Sequence, residues 1–144
     1  MNAISKGAIG FAIASFVSLG AGAASAQSAA TLTLKDNTAV SLSYQTSSCV
    51  GTLNQSWPSS ILAGSFATRT ATSSLTSNGC SVTYQRADNG RSCRFVATRL
   101  RSSLTGPWNY PTVNTTASGS GITCTYTITS VSSNGDWAVT LNVN

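Results

Sequence analysis

The stretch GITCTYTITSVSSNGDWAVTLNV, Gly121 to Val143, alternates apolar and polar residues on both sides of an Asn-Gly pair. Successive side chains of a strand point to opposite faces, so each half has one apolar face and one polar face that is rich in threonine. Asn134 and Gly135 both accept positive φ angles and favour a type I′ turn. The stretch therefore predicts a C-terminal β-hairpin. Its predicted inward side chains are Ile122, Cys124, Tyr126, Ile128, Trp137, Val139, Leu141 and Val143.

The same alternation recurs in short segments from residue 31 onward, including TLTLK, AVSLSYQ, SVTYQ and CRFVATRL. Residues 61–75 are predicted to hold one or two more strands interrupted at Gly64, and residues 112–121 to form a flexible loop. Six to eight short strands with frequent turn signals are typical of an antiparallel β-sandwich or a small barrel. We take the sandwich as the predicted fold.

A second hairpin is predicted in CSVTYQRADNGRSCRF, residues 80–95, with its turn at 87–90. This turn places Tyr84 beside Cys93 and Val82 beside Phe95. Cys80 and Cys93 are then not direct partners, so each cysteine is expected to tie the hairpin to a flanking strand.

The first 26 residues have the pattern of a secretory signal peptide. Lys6 precedes an apolar run rich in Gly, Ala and Ser, and Ala24 and Ala26 form an A-x-A cleavage site before Gln27. A membrane anchor is the alternative, but no basic stop-transfer cluster follows the run. We therefore expect a single domain over residues 27–144, secreted or periplasmic, with no transmembrane segment in the mature chain.

Four cysteines behind a signal peptide predict two disulfides. The cysteines are Cys49, Cys80, Cys93 and Cys124. Three pairings are possible, and we favour slightly 49–80 with 93–124. A zinc site is disfavoured because the chain has no histidine and no C-x-x-C pair.

The chain contains no histidine and no glutamate, which excludes a Ser-His-Asp triad and a Cys-His dyad. Its three aspartates, Asp36, Asp88 and Asp136, all lie in predicted turns, where Asp has an ordinary structural role. No glycine-rich phosphate loop is present. We therefore predict a non-enzymatic protein without a cofactor or a metal.

Arginine supplies most of the positive charge of the mature chain, whose seven cations and three aspartates give a formal net charge of +4. Five of the six arginines form a basic band around the second hairpin. They are Arg86, Arg91, Arg94, Arg99 and Arg101. Such a band could bind lipid headgroups or an acidic protein, because the guanidinium fork binds phosphate and carboxylate. Solubility and protection of sheet edges are the alternative roles.

Aromatic residues in two Pro-containing segments are the other binding candidates. Trp108 and Tyr110 lie in GPWNYP, residues 106–111, and Trp57 precedes Pro58. Amphipathic rings of this kind suit a membrane interface or the face of a sugar. The structural alternatives are that Trp108 caps the end of the core and that Trp57 packs beneath its loop.

Two residue patterns resemble a known family: a Pro-x-x-Ile-x-x-Gly-Ser segment, and a Gly followed by a Val-x-Tyr strand. The residues are Pro58, Ile61, Gly64, Ser65, Gly79, Val82 and Tyr84. Over roughly residues 31–100 the chain resembles the secreted aegerolysin-like proteins, which share a β-sandwich with the actinoporin-like cytolysins. The resemblance implies binding to membrane lipids and, in some members, a cytolytic role. The four cysteines, the signal peptide and the basic charge depart from the family pattern.

These features lead to the hypothesis of a secreted module that binds membrane lipid or another cell-surface ligand. Trp57, Trp108 and Tyr110 would enter the interface, and the arginines would steer the protein to an anionic membrane surface. The alternative is an inhibitor or interaction protein that binds an acidic protein through the same arginines. Nucleic acid is not expected as a partner, since a secreted chain rarely meets it.

Overall fold

The computed structural model describes residues 26–144, which form a two-layer β-sandwich. The predicted signal peptide lies outside the described residues except for Ala26. Ten strands build the sandwich: β1 Ser28–Asp36, β2 Leu42–Val50, β3 Thr52–Leu53, β4 Ser60–Ile61, β5 Phe66–Ser73, β6 Ser77–Arg86, β7 Ser92–Leu100, β8 Thr112–Ser118, β9 Cys124–Val131 and β10 Trp137–Val143. The first sheet has the order β3-β5-β1-β10-β9 and the second β4-β2-β6-β7-β8.

The first sheet is centred on a parallel pair made by the first and last long strands. Leu32 of β1 lies opposite Val139 of β10, and Leu34 lies opposite Leu141. Both strands alternate buried and half-buried residues along most of their length, because one face covers the core and the other meets solvent. The first and last strands of the described chain therefore lie side by side within one sheet.

The second sheet is centred on the β6–β7 hairpin, whose register is the predicted one. Tyr84 pairs with Cys93 and Val82 with Phe95. The Gly90 N–H donates to the Arg86 carbonyl at 3.1 Å and closes the turn. Tyr84 and Phe95 have no exposed surface, so this hairpin supplies the two largest fully buried side chains of the described chain.

Both predicted disulfides form, in the favoured pairing. Cys49–Cys80 links the neighbouring strands β2 and β6, and Cys93–Cys124 links β7 of the second sheet to β9 of the first. The hairpin is thus tied to a strand on each side, as expected from its register. Two disulfides are compatible with an extracellular or periplasmic location.

Three expectations need correction. The strands number ten rather than six to eight, since two-residue strands and an extra edge strand are present. Residues 112–118 form strand β8 instead of a loop, because their backbone pairs with β7 from Ser92 to Thr98. Tyr126 is 45% exposed instead of inward, since β9 is an edge strand and only part of its inner face is covered.

The C-terminal hairpin is confirmed, but its turn differs from the predicted type I′. Gly135 has φ of 102°, whereas no residue other than glycine has positive φ in the described chain. Five residues, 132–136, connect β9 to β10, and the Ser132 N–H donates to the Asp136 carbonyl at 2.8 Å. One glycine in the left-handed region is therefore sufficient to reverse the chain.

Replacing both cysteines of one disulfide should lower the free energy of unfolding by about 3–4 kcal/mol, because each bond closes a loop in the unfolded chain. The two bonds have the same sequence separation, 31 residues. We therefore expect equal losses for Cys49→Ala/Cys80→Ala and Cys93→Ala/Cys124→Ala, measured by urea unfolding. Losses that differ by more than about 2 kcal/mol would show that loop closure alone does not explain the stabilisation.

Alkaline pH should destabilise the fold through Tyr84. Burial raises the pKa of its phenol above the ordinary value of 10.0, against a lowering by Arg69. The unfolded chain then releases this proton first, so the stabilising effect is complete below about pH 10 and is lost as the pH rises toward the folded pKa. Urea unfolding between about pH 8 and 11 should show this decline reduced in Tyr84→Phe and unchanged in the control Tyr110→Phe. An equal decline in both variants contradicts the assignment.

Candidate functional site

The predicted arginine band is spread over the whole length of the β6–β7 hairpin. Arg86 and Arg91 flank its turn and are here named the basic tip, Arg94 lies near the start of β7, and Arg99 and Arg101 lie at the other end. A strand rises about 3.3 Å per residue, so the tip and Leu100 are roughly 30 Å apart. The structure therefore does not bring the five arginines together.

At the basic tip, Arg86 is already paired. Its Nη2 lies 2.8 Å from Oδ2 of Asp88, and this hydrogen bond is the main reason why the pKa of that carboxyl is lowered. The Arg91 side chain packs against Gly119 and Gly121, where an added Cβ would approach its atoms to 2.8 and 3.0 Å. The tip thus offers one arginine without a carboxylate partner among the described residues.

Arg94 projects from the outer face of the second sheet, between Thr83 and Thr116 of the neighbouring strands. Its side chain is exposed and forms no hydrogen bond or ion pair within the described chain. A single cation in a row of threonines is a weak anchor for a partner, and it agrees with a solubilising role.

Arg99 is a buried cation that joins two loops, being only 4% exposed. Its Nε donates to the Asn109 carbonyl at 2.7 Å, and its Nη1 donates to the carbonyls of Ser132 and Asp136 at 2.8 and 3.1 Å. Burial lowers the pKa of the guanidinium, while the Asp136 charge opposes this. Arg99 therefore positions the loops after β7 and β9 and is not available to a ligand.

Arg101 and Trp108 form a second layer over Arg99. The Arg101 guanidinium lies 4.6 Å from the Trp108 ring centroid, and its Nη2 donates to the Leu75 carbonyl at 3.1 Å. The Arg101 N–H donates to Thr76, and the Asn109 N–H to Leu100. These contacts connect the β5–β6 turn with the β7–β8 loop, so the two segments form one surface.

Large apolar side chains on this surface are exposed to solvent. Leu75, Leu100 and Leu104 are 53–55% exposed, and Tyr110 is 69% exposed. We call these four residues the leucine–tyrosine end. The sequence reasoning included Tyr110 but missed the leucines, because single leucines among serines, threonines and arginines carry no periodic signal.

Trp57 is buried, at 6% exposure, near the opposite end of the sandwich. Its ring meets Tyr84 edge-on at 6.2 Å between centroids, and the Arg69 guanidinium lies 5.8 Å from its centroid. The structural alternative for Trp57, a tryptophan packed beneath its loop, therefore describes this residue, and Trp57 does not share a surface with Trp108.

A groove lies beside Trp57, at the connection from β4 to β5, with a volume of about 400 Å³. Ile61 and Ala67 are its buried residues, Leu62 and Phe66 are exposed along it, and Arg69 forms part of its wall. Arg69 was the one arginine outside the predicted band. Phe66 and Ala67 precede it in β5, and the fold adds Ile61 and Leu62 to the same groove.

No known family model matches the chain, and no curated protein matches its sequence. The resemblance to aegerolysin-like proteins stays a prediction. Within residues 26–144 there is no helix of the length and hydrophobicity needed to cross a bilayer, and no group of three potential metal ligands. The leucine–tyrosine end and the groove are thus the two surfaces that carry a functional interpretation.

Substituting Arg99 should be far more costly than substituting Arg94 on the same strand. Arg99→Met removes three hydrogen bonds, although the Ser132 and Asp136 carbonyls keep the N–H donors of Gly135 and Ser132. It should lower the free energy of unfolding by about 2–4 kcal/mol. Arg94→Met should change it by less than about 0.5 kcal/mol, since Arg94 is exposed and unpaired. Urea unfolding of the two variants decides this, and similar losses would contradict a clamping role for Arg99.

Proposed function

We propose that this chain is an exported, non-enzymatic binding domain that docks on membrane surfaces through its leucine–tyrosine end. The clustering of exposed apolar side chains carries the proposal. Eight large apolar residues are exposed in the described chain, and four of them belong to this end. Isolated exposed leucines are ordinary, whereas a group on adjoining loops is typical of an interaction surface.

The loops that present these side chains are held in place before any binding. Arg99 donates a hydrogen bond to the Asn109 carbonyl, and Arg101 donates one to the Leu75 carbonyl while it lies against the Trp108 ring. Pro107 and Pro111 further limit the backbone freedom of the segment. A preorganised surface loses little conformational entropy on docking, which favours binding even when few side chains enter the interface.

The exposed apolar area of the leucine–tyrosine end suits peripheral binding to a membrane surface and not insertion across the bilayer. Transfer of a half-exposed leucine or tyrosine side chain out of water contributes roughly 1 kcal/mol. Four such side chains give an affinity near the millimolar range before other contacts are counted. Tyr110 suits the headgroup region, because its ring is apolar and its hydroxyl can remain hydrated.

Electrostatic steering has a small part in this proposal. With the leucine–tyrosine end on the membrane, the basic tip is roughly 30 Å away. This distance exceeds the Debye length of about 8 Å at physiological salt. Arg101 is the remaining cation near the interface, and it is partly engaged by Trp108. We therefore expect binding to depend on apolar contacts more than on anionic lipid.

Export is supported by the predicted signal peptide together with two disulfides. The non-enzymatic assignment is supported by the absence of histidine and glutamate from the sequence. An acidic protein partner would instead have to use Arg91 and Arg94, which lie away from the leucine–tyrosine end.

Vesicle sedimentation tests the proposal. The wild-type protein should pellet with phosphatidylcholine vesicles and only slightly more with vesicles that also contain phosphatidylglycerol. Leu104→Ser/Tyr110→Ser should reduce the bound fraction at least fivefold, because about 2 kcal/mol of transfer free energy is lost.

Leu62→Ser/Phe66→Ser is the matched control, since it also removes two large exposed apolar side chains, but at the groove. It should pellet like the wild type. Absence of wild-type binding to both vesicle types, or an equal loss in the control variant, would refute docking through the leucine–tyrosine end.

A further inference from the structure

The groove at the β4–β5 connection combines an apolar lining with one cation. Ile61 and Ala67 are 3% and 9% exposed, whereas Leu62 and Phe66 are 69% and 67% exposed. The volume of about 400 Å³ lies within the usual range for small-molecule sites. The exposed pair belongs to the chain segment that crosses from the second sheet to the first, so it lies at the mouth between the layers.

Arg69 is held in a fixed position in this wall. Its Nε donates to the Ser56 carbonyl and its Nη1 to the Thr68 carbonyl, both at 2.6 Å, and its plane lies over Trp57. A guanidinium has five N–H donors, so three remain after these two bonds. None of them meets a carboxylate within the described chain.

The surroundings of Arg69 contain an excess of donors. The Trp57 Nε1–H is buried without an acceptor, and the Tyr84 hydroxyl donates to the Pro58 carbonyl. No carboxylate lines the groove within the described residues. The Asp36 N–H donates to the carbonyl of Ser65 in the lining, but the Asp36 carboxylate is fully buried and does not line the groove. Its Oδ1 accepts from the Thr38 N–H, and its Oδ2 is buried without a donor. The groove therefore favours a ligand that brings an anionic acceptor.

We propose that this groove binds a small amphiphile, an acyl chain that ends in a free carboxylate. The carboxylate would accept the remaining N–H donors of Arg69, and the chain would lie along Ile61, Leu62 and Phe66. Among the described residues Arg69 is the only cation that lines the groove, and its planar fork matches the two oxygens of a carboxylate. Burial of the chain against the apolar residues supplies the rest of the affinity.

This site is separate from membrane docking. Phe66 pairs with Lys35 at the far end of β1, whereas Ser28 at the near end pairs with Ser73, two residues before Leu75. The leucine–tyrosine end and the groove are thus at opposite ends of the sandwich. Either proposal can fail without the other.

Titration with sodium decanoate, followed by the indole N–H signals of ¹⁵N-labelled protein, tests the site. The Trp57 signal, assigned with Trp57→Phe, should shift with a Kd of about 1 mM or tighter, while the Trp137 signal stays in place. Decanol, which has the same chain without the charge, should bind at least tenfold more weakly. Arg69→Gln should weaken decanoate binding by a similar factor, since it removes charge-assisted hydrogen bonds.

Leu62→Ser/Phe66→Ser should also lose decanoate binding, whereas Leu104→Ser/Tyr110→Ser should retain it. These two variants are folded-state controls for each other, because all four residues are exposed. Equal shifts with decanol and decanoate would overturn the role of Arg69. A wild-type Trp57 signal that does not move, or one that still moves in Leu62→Ser/Phe66→Ser, would overturn the site itself.

Discussion

Two disulfides hold the β6–β7 hairpin from opposite sides, and the placement of both candidate surfaces depends on this hairpin. Cys80 is tied to Cys49 in the same sheet, and Cys93 is tied to Cys124 in the other. A domain of this size buries a limited apolar core, so covalent links between and within its layers compensate for the small core. The hairpin runs nearly the full length of the sandwich. Its turn therefore lies at one end, and its last residues present the leucine–tyrosine end at the other.

Buried polar side chains support the loops of the leucine–tyrosine end from within the sandwich. Arg99 and Asn78 occupy inward positions on the same hairpin where an alternating strand would otherwise place apolar side chains. Asn78 donates to Ser28 and Gly135 and accepts from the Trp137 indole N–H. Such groups are costly to bury unless all their hydrogen bonds are made. Here the hydrogen bonds go to loop carbonyls and to the side chains of Ser28 and Trp137, and the result is a rigid support for an exposed apolar surface.

Local alternation was sufficient to predict the β-sandwich and the register of the β6–β7 hairpin, which excludes a Cys80–Cys93 bond. The register left two disulfide pairings open, and the slightly favoured one is confirmed. It failed where burial depends on distant partners. Thr112–Ser118 looked like a loop, yet pairing with β7 makes it a strand, and threonine has good strand propensity. Arg99 reads as one member of a basic band, and only the fold shows that three carbonyl groups surround it. The predicted binding site that joins the arginines with Trp57 and Trp108 does not exist as one surface. The arginines are close in sequence, but the length of β7 separates Arg91 from Arg101.

The outer faces of the sandwich explain why distinctive chemistry is confined to its ends. On the first sheet, Thr31 and Thr33 exchange hydroxyl hydrogen bonds with Thr70 and Thr68 at 3.2 and 2.9 Å. These hydroxyls hydrogen-bond to one another across the strands, so the face is polar but uncharged. A ligand would gain little net free energy by replacing these bonds or the water around them. The exposed leucines and Phe66 can form no such hydrogen bonds, and the Arg69 guanidinium keeps three N–H donors beyond its bonds to Ser56 and Thr68. Because they lie beyond the threonine rows, at the two ends, binding of apolar or anionic groups is expected there and not on the sheets.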